Sequence, residues 1–180
     1  MIDLSYFQGG NCFSAMCFSY HLKKMFSCLQ RCLNHKGLFR ICGSVTKIKA
    51  LKEKYDQGEE VDLVNEGDVN SIASLLKLFL NELPVAVIPD YLYNKSDMAD
   101  RPGCTLRRLL SSLPKAHYSL FHFLIRFLVK VAAHSDENHM TMENLANVFG
   151  PTLFRPPLML QSNDMLQNTS AKKKRKERHT

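Results

Sequence analysis

The chain has 180 residues, of which 45% are hydrophobic and 23% charged, and its formal net charge is +7. A chain of this size and composition can bury a substantial apolar core, which excludes a wholly disordered protein. The charge is uneven. The run from Lys172 to Arg178 holds six basic residues and one acidic residue, or +5, so the rest of the chain carries only +2.

The N-terminal segment, residues 1–33, lacks the basic start, apolar run and small-residue cleavage site of a secretory signal. We therefore expect a cytoplasmic protein, in a reducing compartment where disulfides are rare. The cysteines and histidines at this end are Cys12, Cys17, Cys28, Cys32, His21 and His35. Their spacing differs from the short pairs of zinc knuckles, so small apolar side chains in a partly helical segment are favoured over zinc. The sequence predicts no metal and no cofactor.

Helical periodicity recurs along the chain, and no segment shows the sustained alternation of a strand. The first helix is predicted from the N-cap Ser44 to Gly58, with an apolar stripe that starts at Val45. The second runs from the N-cap Asp68 to Pro84 and has one broad apolar face. Its polar residues recur in steps of four, three and four, which predicts one exposed ridge of Asn70, Ser74, Lys77 and Asn81.

Three further helices complete the prediction of an all-α fold. They are a short helix that ends at Pro114, a long one from Lys115 to His134, and one that begins at Thr141 and closes at Gly150 and Pro151. The expected core residues of the long helix are Phe121, Leu124, Ile125, Leu128 and Val131. Residues 85–102 are predicted to form a loop, and residues 156–180 a disordered basic tail.

The sequence contains none of the common signatures of a self-contained active site. A Gly-rich phosphate loop, an HExxH pair and a Gly-x-Ser-x-Gly elbow are all absent. The run 134–136, His-Ser-Asp, is contiguous, so its side chains cannot take the mutual geometry of a catalytic triad. His122, Arg126 and Lys130 interrupt the most apolar stretch at four-residue intervals, which argues against a membrane-spanning helix.

The segment 35–44 places one arginine, Arg40, between apolar neighbours, with a glycine on either side and a capped helix after it. Leu38, Phe39 and Ile41 are predicted to pack inward and to hold Arg40 outward on a rigid base. Such an arginine can enter the phosphate site of another protein. An arginine beside a helix start is also commonly a solvated charge or a salt-bridge partner, so the loop alone leaves both interpretations open.

Three segments with compatible spacing favour the interpretation that Arg40 enters a partner's phosphate site. They are Gly37-Leu-Phe-Arg-Ile-Cys-Gly-Ser44, Leu75-Leu-Lys-Leu-Phe-Leu-Asn-Glu-Leu-Pro84 and Asn144-Leu-Ala-Asn-Val-Phe-Gly-Pro-Thr-Leu153. They resemble the arginine-finger loop and two helix motifs of the RhoGAP family, whose domains accelerate GTP hydrolysis by Rho-type GTPases. The resemblance runs from Gly37 to Arg155 and implies an all-α, RhoGAP-like helical bundle with its core at residues 34–155.

The resemblance also implies roles for four residues. Arg40 takes the place of the arginine finger, which neutralises charge on the transferring phosphoryl group while the GTPase's own glutamine orients the attacking water. Lys77 matches a lysine that supports both the finger loop and the switch surface of the GTPase, and Asn144 matches an asparagine that hydrogen-bonds across the interface. Asn81 stands where the family usually has an arginine, so we expect weaker binding or a lower rate. The implied partner is a Rho-family small GTPase in its GTP-bound state, with this chain as its activator rather than an enzyme in its own right.

The resemblance weakens at both ends. The connection between Leu33 and Gly37 is several residues shorter than in the family, and nothing after Arg155 resembles the family's later helices. This indicates an altered start and a bundle incomplete at its C-terminal end. Together with Asn81, this motivates an alternative: a weakened module that binds a GTPase or another signalling partner without accelerating hydrolysis. The tail from Lys172 to Arg178 is a solvated end, a contact for anionic surfaces or a nuclear-localisation signal. Its lack of aromatic residues argues against specific nucleic-acid binding.

Overall fold

The computed structural model describes residues 15–66, 68–92 and 102–155. Its elements are α1 (Ala15–Gln30), α2 (Val45–Asp56), α3 (Leu63–Glu66), α4 (Val69–Asn81), a 3-10 turn (Asp90–Leu92), α5 (Pro102–Ser112), α6 (Lys115–Ala132), α7 (Ser135–Asn138) and α8 (Met142–Leu153). Every regular element in the described ranges is helical, which confirms the all-α fold. The predicted tail, residues 156–180, lies outside these ranges, as do residues 93–101 of the predicted loop.

The two helices nearest the arginine segment begin at the residues expected from the sequence. Asp68 is the N-cap of α4, and its carboxylate accepts a hydrogen bond from the Ser71 backbone N–H at 2.9 Å. Ser44 is the N-cap of α2, but its hydroxyl pairs with Thr46 Oγ1 at 2.8 Å instead of capping the backbone. Val45, the first residue of the predicted apolar stripe, is 65% exposed, and the buried residues of that stripe, Leu51 and Tyr55, lie in the later turns of α2.

The core is formed jointly by residues of α1, α2, α4, α6 and α8. Helix α4 contacts α1, α2 and α8, while α6 contacts α7 and α8 and packs aromatic rings against Phe26 of α1. The fully buried residues of α4 include Ile72, Leu76 and Leu80, which lie on the predicted apolar face. On α6, the expected core residues Leu124, Leu128 and Val131 are buried, whereas Phe121 and Ile125 are only partly buried at the margin of the core.

Helix α8 continues past the predicted stop. Pro151 lies inside it, and the helix ends at Leu153 rather than at the Gly150–Pro151 pair. A proline removes one backbone donor. The last turn persists because Thr152 and Leu153 are buried and the Phe154 N–H still reaches the Gly150 carbonyl at 2.9 Å. The prediction of a stop at this pair is therefore wrong.

The chain that leaves α4 is ordered against the core. Ala86, Val87 and Ile88 are buried, and the Ile88 N–H donates to the Leu153 carbonyl at 3.1 Å. His117, buried near the start of α6, contacts the Val87 carbonyl through Nδ1 at 3.0 Å. Within the described ranges, no helix has both the length and the apolarity needed to cross a bilayer.

Candidate functional site

A tight turn presents Arg40 between α1 and α2; we call residues 35–44 the arginine loop. Gly37 and Phe39 both have positive φ, 73° and 70°. The backbone N–H groups of Arg40 and Ile41 both donate to the Gly37 carbonyl at 2.9 Å. Arg40 is exposed, and within the described residues its guanidinium forms no ion pair. The turn therefore leaves five guanidinium donors available to a partner.

Phe39 anchors the turn in the core. Its side chain is fully buried and packs edge-on against Phe127, with ring centroids 5.9 Å apart, and against Phe149, at 5.0 Å. A positive φ costs a bulky residue about 1–3 kcal/mol and persists only where the surroundings impose it. Burial of a phenylalanine side chain contributes about 1.5–3 kcal/mol, which is enough to offset that strain.

Ile41 does not pack inward as predicted. Leu38 and Phe39 are fully buried, but Ile41 is 44% exposed because the left-handed turn at Phe39 sends the next residues back toward solvent. The Ile41 side chain instead folds over Gly37, where the Cβ of any larger residue would lie 2.6 Å from Ile41 Cδ1. The positive φ is what favours glycine at position 37, because the half-exposed Ile41 side chain can turn away from a Cβ.

The polar ridge of α4 carries the arginine loop. Asn70 Oδ1 lies 3.1 Å from His35 Nε2, the Ser74 hydroxyl accepts from the Gly43 N–H at 3.1 Å, and Lys77 Nζ donates to the Phe39 carbonyl at 2.8 Å. These three ridge residues are half-buried rather than exposed, because the loop covers them. The prediction of one exposed ridge is therefore wrong. Its first three residues lie under the arginine loop and hold it in place.

The C-terminal side of the loop lies directly on the backbone of α4. A Cβ at Gly43 would come within 2.3 Å of Ser71 Cα, so only glycine fits. The buried Ser71 hydroxyl accepts from the Ser44 N–H at 3.1 Å and donates to the Asp68 carboxylate at 2.8 Å. The Ser71 N–H holds the pKa of Asp68 below its usual range, and hydrogen bonds from Ser71 Oγ and Lys47 act in the same direction.

Asn138, at the end of α7, fixes the other side of the loop. Its carbonyl accepts from the Gly37 N–H at 2.7 Å. Its buried side-chain amide donates to the Leu33 and Val131 carbonyls, both at 2.7 Å, and its Oδ1 accepts from the Met140 N–H at 2.7 Å. Asn138 therefore joins the start of the loop to α6 and to the segment before α8.

The sequence did not identify Asn138 as a site residue. A local signal was present, since an asparagine at the end of a short polar helix often precedes a chain reversal. The next residue, His139, does take the left-handed conformation, with φ 59°. The contact with Leu33, 105 residues away, has no local signature.

The other two predicted site residues lie at helix ends. Asn144 is in the first turn of α8, half-buried, and its Nδ2 donates to the His139 carbonyl at 3.2 Å. Asn81 is exposed at the end of α4. Its carbonyl and that of Leu83 accept hydrogen bonds from the Arg155 guanidinium. Arg155, which was not predicted as a site residue, thus places a cation at the C-terminal end of α4. The helix dipole favours positive charge at that end.

The chemistry available at this site is charge stabilisation. No group of three or more histidine, cysteine or carboxylate side chains that could hold a metal occurs among residues 15–66, 68–92 and 102–155. Arg40 has no acid, base or nucleophile paired with it in the described part of the chain. An exposed guanidinium on a backbone held in this way is suited to a phosphate or carboxylate supplied by another molecule.

Comparison with known proteins assigns the chain to a family. The family model of the RhoGAP domain matches residues 20–158. The chain belongs to the RhoGAP domain family. The match begins inside α1, so it extends further toward the N-terminus than the motifs recognised in the sequence.

Two curated relatives are Rho GTPase-activating proteins, which supports the family assignment. The chain is 39% identical over 137 residues to "Rho GTPase-activating protein 22" of Mus musculus, covering 72% of this chain and 20% of that protein. It is 41% identical over 125 residues to "Rho GTPase-activating protein gacJJ" of Dictyostelium discoideum, covering 66% of this chain and 14% of that protein. The chain therefore spans a fifth or less of the length of these two curated relatives.

Two solved RhoGAP-type structures share the fold. Human Rho GTPase activating protein 15 superposes with a TM-score of 0.68 at 25% identity, covering 76% of this chain and 69% of that chain. The BH domain of GRAF, the GTPase regulator associated with focal adhesion kinase, also gives 0.68, at 28% identity, covering 84% of this chain and 87% of that chain. The RhoGAP-like helical bundle expected from the sequence is confirmed.

Proposed function

We propose that this chain is a GTPase-activating module for a Rho-family small GTPase in its GTP-bound state, and that Arg40 is its arginine finger. The observation that carries the proposal is the geometry of the arginine loop. Arg40 is exposed and unpaired within the described residues, while Leu38 and Phe39 on its N-terminal side are fully buried. Membership of the RhoGAP family supports the same conclusion.

In the proposed mechanism, Arg40 enters the phosphate site of the bound GTPase. Its guanidinium donates to the oxygens that gain negative charge as the γ-phosphoryl group leaves, and the GTPase's own glutamine orients the attacking water. The chain forms no covalent intermediate and transfers no proton. It contributes a charge at a fixed position, which the GTPase lacks when it acts alone.

The rigidity of the loop determines how much that charge is worth. An arginine finger supplied in trans accelerates hydrolysis about 10³–10⁵-fold, or roughly 4–7 kcal/mol of barrier. A flexible arginine would lose part of this through the entropy of being ordered on binding. Lys77, Gly43 and Asn138 hold the loop through backbone contacts before the GTPase binds, so we assign them positioning roles.

The partner-binding surface is proposed to include Lys77, Asn81 and Asn144. Asn144 is half-buried with its amide already bonded to the His139 carbonyl, which leaves its Oδ1 available to accept from the GTPase. Asn81 is exposed and carries no charge, where relatives usually have an arginine. The neighbouring Arg155 guanidinium supplies a cation at the same end of α4, although it is bonded to the Asn81 and Leu83 carbonyls.

A phosphate-release assay tests the proposal. A panel of GTP-loaded Rho-type GTPases is mixed with the chain, with its Arg40→Ala variant, and with Arg31→Ala as a control that removes an exposed arginine outside the loop. We expect at least one GTPase to be accelerated by the unsubstituted chain and by Arg31→Ala, and not by Arg40→Ala. No acceleration of any GTPase by the unsubstituted chain would refute activation.

The second candidate function is binding without activation, which the uncharged Asn81 favours. The same panel separates the two if the chain is also immobilised and the retained GTPase is measured. Retention of a GTP-loaded partner with an unchanged hydrolysis rate selects the binding module. Retention together with faster hydrolysis selects the activator.

A further inference from the structure

One face of α6 carries cations without acidic partners, and we infer that it docks on the surface of an anionic lipid bilayer. We call this surface the α6 face; its residues are Lys115, Tyr118, His122, Arg126, Val129 and Lys130. At about 100° per residue, they fall within a sector of about 120° on the helix. From end to end the face is roughly 22 Å long, at 1.5 Å per residue.

The charge on this face is not neutralised within the described structure. The segments Pro102–Ser112 and Lys115–Ala132 contain no aspartate or glutamate. Among the described residues, Lys115, Arg126 and Lys130 form no ion pair. By contrast, Lys47 and Lys52 on α2 are both paired with carboxylates. Three cations of the α6 face, Lys115, Arg126 and Lys130, are therefore unpaired within the described residues.

The same face also exposes apolar side chains, which favour a lipid bilayer over other polyanions as the partner. Tyr118 is 46% exposed and Val129 is 47% exposed. The Tyr118 ring stacks on His122 with centroids 5.9 Å apart and planes 5° from parallel. Cations alone would suit any polyanion, but a bilayer interface accepts cations, tyrosine and aliphatic side chains together. A nucleic-acid backbone offers Val129 no such environment.

An open groove runs along the α6 face. It has a volume of about 330 Å³ and lies between Gln30, the last residue of α1, and α6, with His122, Arg126 and Lys130 along it. The opposite side of α6 is held in the core by residues such as Leu124 and Val131. Docking through the α6 face therefore requires no refolding of the helix.

Vesicle binding tests the inference. The charges of the basic tail are neutralised first, because the tail could itself bind anionic vesicles. In the 180-residue chain, the six basic residues from Lys172 to Arg178 are changed to glutamine. Sedimentation with phosphatidylcholine–phosphatidylserine vesicles is then compared with sedimentation with phosphatidylcholine alone. We expect binding only to the vesicles that contain phosphatidylserine, and absence of that binding would overturn the inference.

A matched pair of double variants tests the location, each made in the tail-neutralised chain. Near an anionic leaflet each cation contributes about a five-fold factor in binding. Arg126→Gln with Lys130→Gln should therefore weaken binding roughly 25-fold. Lys23→Gln with Lys49→Gln removes the same charge from exposed positions on α1 and α2 and should weaken it far less. Equal losses from the two pairs would refute a specific face.

A single apolar change separates a bilayer from a soluble polyanion. Val129→Ser should weaken vesicle binding several-fold and leave binding to heparin unchanged. An unchanged affinity for vesicles, or preferential binding to heparin or RNA, would reject the bilayer. GTP hydrolysis in solution without vesicles should not respond to changes on the α6 face, so this inference and the proposed function fail independently.

Discussion

The Lys77 ammonium donates a hydrogen bond to the Phe39 carbonyl oxygen, 2.8 Å away, and Phe39 is the residue directly before Arg40. This single contact ties the exposed arginine to α4 through the backbone rather than through its side chain. The carbonyl belongs to a residue whose φ is +70° and whose ring is fully buried. Lys77 thus stabilises a strained conformation that directs Arg40 into solvent.

Replacement of Lys77 by methionine should lower stimulated GTP hydrolysis about 10- to 100-fold. A hydrogen bond to a charged group contributes about 1.5–3 kcal/mol, and its loss lets the arginine loop leave the competent position. Lys49→Met, at an exposed position on α2, is the control and should retain the full rate. Equal rates for the two variants would mean that Lys77 does not position the loop.

Gly43→Ala should destabilise the protein by about 1–3 kcal/mol, because the new Cβ would lie 2.3 Å from Ser71 Cα and force the loop away from α4. Ser27→Ala, at an exposed position of α1, is the control and should change the free energy of unfolding by less than about 0.5 kcal/mol. Urea unfolding curves measure both, and equal midpoints would contradict the packing described here.

Asn138→Ala should be among the most destabilising substitutions, at about 3–5 kcal/mol. It leaves the Leu33 carbonyl and the buried Met140 N–H without their partner, while the Val131 carbonyl keeps only the hydrogen bond from the His134 N–H. Asn147→Ala removes an exposed asparagine of α8 and should change stability by less than about 0.5 kcal/mol. Chemical unfolding distinguishes them, and a small effect at Asn138 would show that these hydrogen bonds are replaceable.

Acidification should destabilise the fold partly through His21. Burial against Tyr55 lowers the pKa of His21 below its ordinary value of 6.5, and Lys24 adds to the effect. The unfolded chain therefore takes up a proton first, so stability is full above pH 6.5 and falls as the pH drops toward the folded-state pKa. The loss in melting temperature between about pH 7.5 and pH 5.5 should be smaller in His21→Gln.

The control for this pH effect is His122→Gln, which changes an exposed histidine on α6. It should show the same loss of melting temperature on acidification as the unsubstituted chain. If His21→Gln also lost as much stability as the unsubstituted chain, the acid sensitivity would have to arise elsewhere.

The features that could be predicted from sequence are those with local causes. The Asp68 N-cap and the apolar face of α4 follow from residue type and spacing within a single helix. The turn around Arg40 was recognisable from its two glycines and its apolar neighbours. The family resemblance added the partner and a proposed role for Lys77, neither of which follows from periodicity.

The features that escaped prediction depend on contacts between distant parts of the chain. The arginine loop covers the ridge of α4 through His35, Gly43 and Phe39, and a helical pattern cannot reveal a cover that comes from 31 to 38 residues away. Ile41 is displaced by a left-handed residue that is not glycine, which residue preferences disfavour. Helix α8 continues through Pro151 because tertiary burial of Leu153 outweighs one lost hydrogen bond.

Single-turnover GTP hydrolysis at saturating chain concentration tests the proposed role of Arg40 most directly. With a responsive Rho-type GTPase, Arg40→Ala should lower the stimulated rate about 10³-fold or more. Arg40→Lys should recover little, because an ammonium cannot make the bidentate contacts of a guanidinium. The melting temperature of both variants should match that of the unsubstituted chain, since Arg40 is exposed. Undiminished stimulation by a folded Arg40→Ala variant would contradict the account.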